Sequence, residues 1–410
     1  MLQTNAVLGL TMDNRVEKLR DLIGLELGYG TLRLPVRNGH VDNEEMLSCI
    51  NYYKNNGGRY FEAAYHYFES EKTIRELVVS KYARNSILIA DKLPIASLIK
   101  EEDQERIFNE QLIRCSVSFF DFYLLHNVNE NTWKKVEKYN SISFLEKKKS
   151  LGLIKNIGFS FHGGPELLNT ILQRFGKVFD FVQLQINYLD WDSPVIQSKA
   201  NYEIAEKYGL PVFVMEPLKG GRLCNLPEKA KQCLGSDSPQ KIAFNYIRLL
   251  NNVVCVLAGM NALEQVKENI SIFQEEVILD SSIKSKTEII TAEVKAMSII
   301  QCTNCGYCIE VCPKHIPIPS LLHLFENDNR GREGGYYSEI CLGKGRAGDC
   351  LQCGRCETVC SQRIAIRKHL ESIADIYEKK NIVYSLKIAI SIILKRVGIY
   401  YWLRGKKKQK

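Results

Sequence analysis

Two groups of cysteines offer the clearest chemistry in this 410-residue chain. Cys302, Cys305, Cys308 and Cys312 follow the spacing C-x2-C-x2-C-x3-C, and Cys350, Cys353, Cys356 and Cys360 repeat it. Three thiolates two residues apart wrap one corner of an iron–sulfur cube, and the fourth lies beyond that reach and points to a neighbouring cluster. The expected ligand sets are therefore Cys302, Cys305, Cys308 and Cys360 for one [4Fe–4S] cluster, and Cys350, Cys353, Cys356 and Cys312 for the other. Such a crossing ties the two halves together, so loss of the clusters should unfold them. The competing reading is a pair of zinc sites. Zinc ribbons separate C-x2-C pairs by a longer loop and do not place four cysteines within eleven residues.

The other six of the 14 cysteines are scattered. Cys341, between the two motifs, is expected to be a buried thiol and not a ligand. Met1 to Gly9 lacks a basic region followed by an apolar run, so no export signal is read there. Clustered cysteines without such a signal point to metal binding in a reducing cytoplasm.

A second set of reactive residue types stands just after short apolar runs. Glu62 and Tyr67 follow RYF, Lys92 follows SILIA, and His126 follows FDFYLL. One lysine or histidine in such a place is an ordinary loop residue. Four polar groups after three successive strand candidates make a stronger case for a site.

The elements that must position them read as alternating strands and helices. Ser86–Ala90, Phe120–Leu125, Ile157–Ser160, Phe181–Gln185, Pro211–Met215 and Val253–Leu257 are too short for helices and rich in β-branched or aromatic residues. Stretches such as Glu102–Arg114 and Asn201–Tyr208 between them have helical character. Repeated β–α units over this length predict a parallel sheet, most often a (β/α)8 TIM barrel, with a doubly wound sheet as the alternative. No G-x-G-x-x-G follows the first strand, which weighs against a Rossmann arrangement.

The formal net charge is +8, from 55 basic and 47 acidic residues. Residues 381–410 carry eight Lys and Arg and no Asp or Glu, so the rest of the chain is balanced at 47 of each sign. That placement argues against a nucleic-acid partner and leaves attraction to anionic surfaces to the tail. Residues 382–403 are apolar apart from a stripe at Lys387, Ser391 and Lys395, and RGKKKQK ends the chain. A helix packed on its neighbours with a solvated end is the favoured reading, and peripheral membrane contact is its rival. No run of eighteen uncharged apolar residues predicts a spanning helix.

In combination, RYFEAAYHYFESE, ILIADKLP, DFYLLHNVN, GLIKNIGFSFHG, FVQLQINYLD, VMEPLKGG and VLAGMNALEQVKEN resemble the successive signatures of the aldo/keto reductase superfamily. The chain is similar to the branch with a C-terminal dicluster ferredoxin domain. The implied organisation is a cap segment over 1–27, a barrel over 28–285, a mostly helical ferredoxin-like domain over 286–375, and a C-terminal helix and basic tail over 376–410. Residues 1–27 include a helical stretch, Val16–Leu27, expected to cap the barrel bottom. Pro313 follows the first cysteine motif as in bacterial ferredoxins, and Ser361 replaces the usual proline after the second.

The resemblance implies a catalytic tetrad of Glu62, Tyr67, Lys92 and His126, with glutamate where the family has aspartate. Tyr67 is preferred to Tyr65 because it stands five positions after the acid. The resemblance further implies that Ser160 and Gln183 hold a nicotinamide carboxamide, that Gly220 and Gly221 admit the pyrophosphate, and that Gln265 and Asn269 lie near the adenine. Met215 replaces the family's stacking tyrosine. NADPH or NADH is the implied hydride source, and the chain would reduce a carbonyl or related small molecule. A hydride carries two electrons and a cluster ordinarily one, so three arrangements stand open: structural clusters beside a carbonyl-reducing barrel, a flavin on this chain or on a redox partner that bridges the two, or direct reduction of the substrate by electrons relayed from the clusters without nicotinamide. The rival is a non-catalytic electron-transfer module whose barrel docks a redox partner.

Overall fold

The computed structural model describes residues 15–277, 281–297, 300–327 and 334–379. The chain divides into two units, Met1–Ala296 and Met297–Lys410. From residue 380 onward, the predicted apolar helix and basic end lie outside the described residues.

In the first unit eight parallel strands close into a barrel. They are β1 (Leu27–Gly30), β2 (Tyr60–Glu62), β3 (Leu88–Leu93), β4 (Phe120–Val128), β5 (Ile154–Phe161), β6 (Phe181–Gln185), β7 (Val212–Met215) and β8 (Val253–Ala258). They follow chain order around the barrel, which β1 closes by pairing Leu27 with Val256 of β8 and Gly30 with Glu62 of β2. The strand runs read from sequence are all present, several of them longer: the SILIA run ends at Leu93 and so takes in Lys92. The helices expected near 102–114 and 201–208 are Asp103–Cys115 and Ser198–Lys207.

Strands buried on both faces need apolar residues at both parities, and these strands have them. Inward, the rings of Tyr60, Phe122, Phe181 and Phe213 meet at centroid distances of 4.4 to 5.5 Å. The interior cluster also takes in Val16, Leu19 and Ile23, from a helix over residues 15–23. That helix is fixed at the N-terminal ends of the strands. The Arg15 guanidinium donates to the Gly176, Phe179 and Tyr208 carbonyls, and Arg20 donates to Asn251 and Val253. The opposite rim, where the strands end, is left for chemistry. The helix Ser281–Met297 spans the boundary expected at 285, and its Ile290 and Val294 join a cluster with Leu226, Ala230 and Ile242 of the first unit.

The second unit is built on an internal repeat offset by 48 residues, the spacing from Cys302 to Cys350. Short helices Tyr307–Glu310 and Arg355–Thr358 occupy equivalent places, as do Ile318–Asn327 and Ile366–Ala374. The turns match bond for bond. His315 N donates to Cys312 O and Arg363 N to Cys360 O, and Ile318 N donates to Ile316 O and Ile366 N to Ile364 O. Gly306 and Gly354 each enter a short helix at positive φ, 85° and 73°, where a side chain would be strained. Between the repeats, Tyr337 stacks on Tyr377 at 4.9 Å and its hydroxyl accepts from Ala347 N at 3.1 Å. Cys341 is buried beside it. Among the described residues no helix is long and apolar enough to cross a membrane.

Candidate active site and cluster ligands

β2, β3 and β4 deliver Glu62, Lys92 and His126 to the C-terminal rim, and the loop after β2 returns Tyr67 to the same place. Lys92 is only 1% exposed. Its Nζ lies 2.7 Å from Glu62 Oε1, 3.1 Å from Ala63 O and 3.5 Å from Tyr67 Oη. The last distance marks loose contact, which a bound oxygen could tighten. Burial acts to lower the Lys92 pKa, but Glu62 and Tyr67 outweigh it and hold it above its ordinary value, so the ammonium stays charged.

Asp91, the nearer carboxylate in sequence, does not compete. Burial, with Glu71 nearby, pushes its pKa well up, and its oxygens face the Lys92 amide at 2.8 Å and the Cys115 thiol at 3.6 Å. His126 is pushed well below the usual range, first by burial and then by Lys92, His162 and His66. It is therefore a neutral imidazole, edge-on to the Tyr67 ring at 5.8 Å. Tyr65 points elsewhere: its hydroxyl donates to Glu110 at 3.0 Å and its ring lies under the Arg114 guanidinium at 4.5 Å.

The residues implied for nicotinamide fall into two groups. Ser160 and Gln183 are register partners on β5 and β6, facing the same rim. Ser160 Oγ accepts from Asn127 N at 2.8 Å. The Gln183 amide nitrogen is committed to Glu62 Oε2 at 2.6 Å, where Tyr60 also donates at 3.2 Å. Gly220 and Gly221 follow β7 at φ 65° and 90°, and a Cβ on Gly221 would meet nothing within 4 Å, so the backbone there is open to a close ligand. Met215 ends β7 just before them, half-buried. Gln265 is exposed on the helix Leu263–Gln274 and accepts from Asn261 N at 2.9 Å, whereas Asn269 is buried one turn on.

The sequence reading missed a buried ion pair under the glycine loop. Lys219 Nζ sits 2.7 and 2.8 Å from the two Asp190 oxygens, with side chains 1% and 5% exposed. Gln185 and Asn187 each donate to the same carboxylate at 2.8 Å. It also missed His162 and His66 beside His126. Both lysine and aspartate stand in the quoted motifs, but nothing in one dimension pairs them.

In the second unit, a small pocket is lined by Cys312, Cys350, Cys353 and Cys356, the set expected from the crossing. The Cys308 thiol is pushed up by burial and then by the sulfurs of Cys305, Cys360, Cys302 and Cys356. Burial and crowding of this kind disfavour the thiolate form, which the positive iron of a cluster would stabilise. Among the described residues no three His, Cys, Asp or Glu donors converge as they would on one metal ion.

The comparisons agree with this geometry. The aldo/keto reductase family model matches residues 26–233, just over half the chain, and a 4Fe–4S dicluster domain matches residues 301–366. The fold is similar to that of aldo-keto reductase AKR11C1 from Bacillus halodurans, at 18% identity and TM-score 0.53, covering 65% of this chain and 92% of that one. An aldo/keto reductase from Klebsiella pneumoniae, solved with NADP and acetate, is similar at 15% identity and TM-score 0.53, covering 65% and 91%. A thioredoxin domain-containing protein of Schizosaccharomyces pombe is 25% identical over 136 residues, 32% of this chain and 20% of that protein. The chain thus spans about a fifth of that curated relative's length. The family model over the barrel, with a 4Fe–4S dicluster domain after it, shows that the chain belongs to the aldo/keto reductase family.

Proposed function

We propose that the barrel reduces a carbonyl group of a small-molecule substrate, with Tyr67 as the proton donor and NADPH or NADH as the hydride source. The observation that carries this is the chain Glu62–Lys92–Tyr67, with 2.7 and 3.5 Å steps, closed by a neutral His126. The ammonium of Lys92 stabilises the phenolate left when Tyr67 gives up its proton, and Glu62 keeps that ammonium charged inside a buried site. His126 donates one N–H to the substrate oxygen and aligns it with the Tyr67 hydroxyl.

A nicotinamide supplies the hydride when bound. The residues present fit it: the open backbone at Gly221 suits a pyrophosphate, and Ser160 beside Gln183 suits a carboxamide. With the Gln183 nitrogen held by Glu62, its oxygen is the atom offered to the carboxamide N–H groups. The solved Klebsiella relative with NADP supports this assignment. The cysteine sets hold two [4Fe–4S] clusters for one-electron exchange.

The test is anaerobic. Reconstituted protein is titrated with NADPH and NADH by fluorescence quenching, then assayed for nicotinamide oxidation with aldehydes, α-dicarbonyls, quinones and free flavin. Saturable binding with carbonyl-dependent oxidation supports the reading. Neither binding nor turnover in fully loaded protein overturns it, and turnover only with flavin moves the assignment to a flavin-linked electron transferase.

A further inference from the structure

The internal repeat of the second unit is symmetric in backbone and asymmetric in charge. Lys314, Arg355 and Arg367 line the pocket of Cys312, Cys350, Cys353 and Cys356, and among the described residues no carboxylate lines it. At the positions 48 residues away, the other half of the repeat has Gln362, Tyr307 and Pro319, all uncharged. Arg367 is paired with Glu357 at 2.8 Å and lies against Cys356 and Cys350, and Lys314 and Arg355 add two exposed cations at the rim.

Exposure follows the same division. Cys353 is exposed, whereas its counterpart Cys305 is half-buried. Leu351 is 59% exposed, and its counterpart Thr303 is 2% exposed. The second site is thus bordered by an open apolar side chain and two exposed cations, while the first has neither at the matching places.

We propose that the cluster held by Cys312, Cys350, Cys353 and Cys356 is the electron port of this protein, and that its surround docks a small acidic one-electron carrier protein. Nearby positive charge and solvent both stabilise the additional negative charge of a reduced cluster. An electron therefore settles at this cluster before the one held by Cys302, Cys305, Cys308 and Cys360. The exchange is a single electron from reduced carrier to oxidised cluster, with no proton and no bond made or broken. Leu351 supplies the apolar contact at which the two centres approach, and Lys314 and Arg355 attract and orient an acidic partner.

The inference rests on the reading of two clusters and is independent of the barrel chemistry. Full-length reconstituted protein is titrated with an acidic [2Fe–2S] ferredoxin as probe, and with basic cytochrome c as the opposite-charge control. Iron, sulfide and EPR are measured on every sample. Saturable, salt-sensitive binding of the ferredoxin and none of the cytochrome is expected. The double variant Lys314→Gln/Arg355→Gln should weaken it roughly tenfold, and Lys100→Gln/Lys229→Gln on the barrel should not. In a reductive titration, one EPR signal should move to lower potential in the double variant, and Cys353→Ser should perturb that same signal. Equal affinity of loaded wild type and double variant, or a shift in the signal that Cys305→Ser perturbs, overturns the proposal. Protein without iron or sulfide removes the cluster reading beneath it.

Discussion

The Gln183 amide nitrogen donates to Glu62 Oε2 at 2.6 Å from β6, the strand diametrically opposite β2 in the barrel order. The other carboxylate oxygen faces Lys92 at 2.7 Å. Glu62 is therefore stretched across the barrel mouth with both oxygens occupied, and its length is what lets it reach both partners. Aspartate, the family's usual residue, is one methylene shorter. Glu62→Asp should therefore lower the carbonyl reduction rate by about tenfold or more, because one contact is lost and the lysine shifts. Steady-state kcat for the two proteins decides this, and an unchanged or improved rate would show that the longer side chain has no geometric role.

Removing the charge altogether is harsher. Glu62→Gln leaves the buried Lys92 ammonium without its counter-ion, and breaking a buried pair in this way costs about 3–5 kcal/mol. The variant should lose stability in urea melts and lose activity together. Glu62→Gln/Lys92→Met, which removes both charges, should recover much of the stability and none of the activity. A double variant no more stable than Glu62→Gln would mean that the pair is not a coupled unit.

The two tyrosines make a sharper comparison. Tyr65 is tied to Glu110 and Arg114, away from Lys92, while Tyr67 meets Lys92 and His126. Tyr67→Phe should reduce kcat by about 10²-fold or more with nicotinamide binding intact. Tyr65→Phe should stay within a few-fold of wild type. Stopped assays at matched cofactor saturation separate the two, and the opposite ranking would transfer the acid role to Tyr65.

The barrel was legible in sequence because its strands are short apolar runs bounded by polar residues, and because Glu62, Lys92 and His126 stand at strand ends where the rim must be. The cluster ligands were legible because cysteine spacing is itself geometry. What stayed hidden depends on contact between distant segments. Asp190 and Lys219 are 29 residues apart on different strand ends, and each alone is a commonplace charged residue. The family motif points to Gln183 as a carboxamide contact, but not to the Glu62 carboxylate that its amide nitrogen meets across the barrel. The helix over residues 15–23 had helical composition, but the carbonyls it satisfies come from the far ends of β6, β7 and β8.

That hidden pair yields its own prediction. Lys219 lies directly before Gly220 and is anchored to Asp190 beneath the loop, so the pair fixes the backbone proposed for the pyrophosphate. Lys219→Met should raise the nicotinamide KM by about tenfold while leaving kcat at saturation within a few-fold, since no reacting atom is touched. A fall in kcat with unchanged KM would assign the pair to the chemistry itself.

Stability should also follow His126. Its folded-state pKa lies well below the ordinary value, because burial and the Lys92 charge oppose protonation. Above about pH 6.5 the unfolded histidine is neutral too, and the full stability is present. As pH falls below that value the unfolded chain takes up the proton first, so stability is lost progressively down to the folded pKa. Urea midpoints measured between pH 7.5 and 5 should therefore decline. His126→Gln should flatten that decline, and a variant with the same slope as wild type would place the titrating group elsewhere.

The crossing of the cysteine sets can be tested one ligand at a time. Cys312 lines the cavity of Cys350, Cys353 and Cys356, and Cys360 lies among the sulfurs around Cys308. Sequence proximity would pair each fourth cysteine with its own motif, and the proposed ligand sets exchange them. Cys360→Ser should therefore perturb the same EPR signal as Cys305→Ser, and Cys312→Ser the same signal as Cys353→Ser. Each variant should lose up to four irons per chain, and the remaining cluster should also loosen, because each half of the unit is held to the other by one exchanged thiolate. If Cys360→Ser and Cys353→Ser share a signal instead, the ligands are uncrossed and the two halves are joined by packing alone.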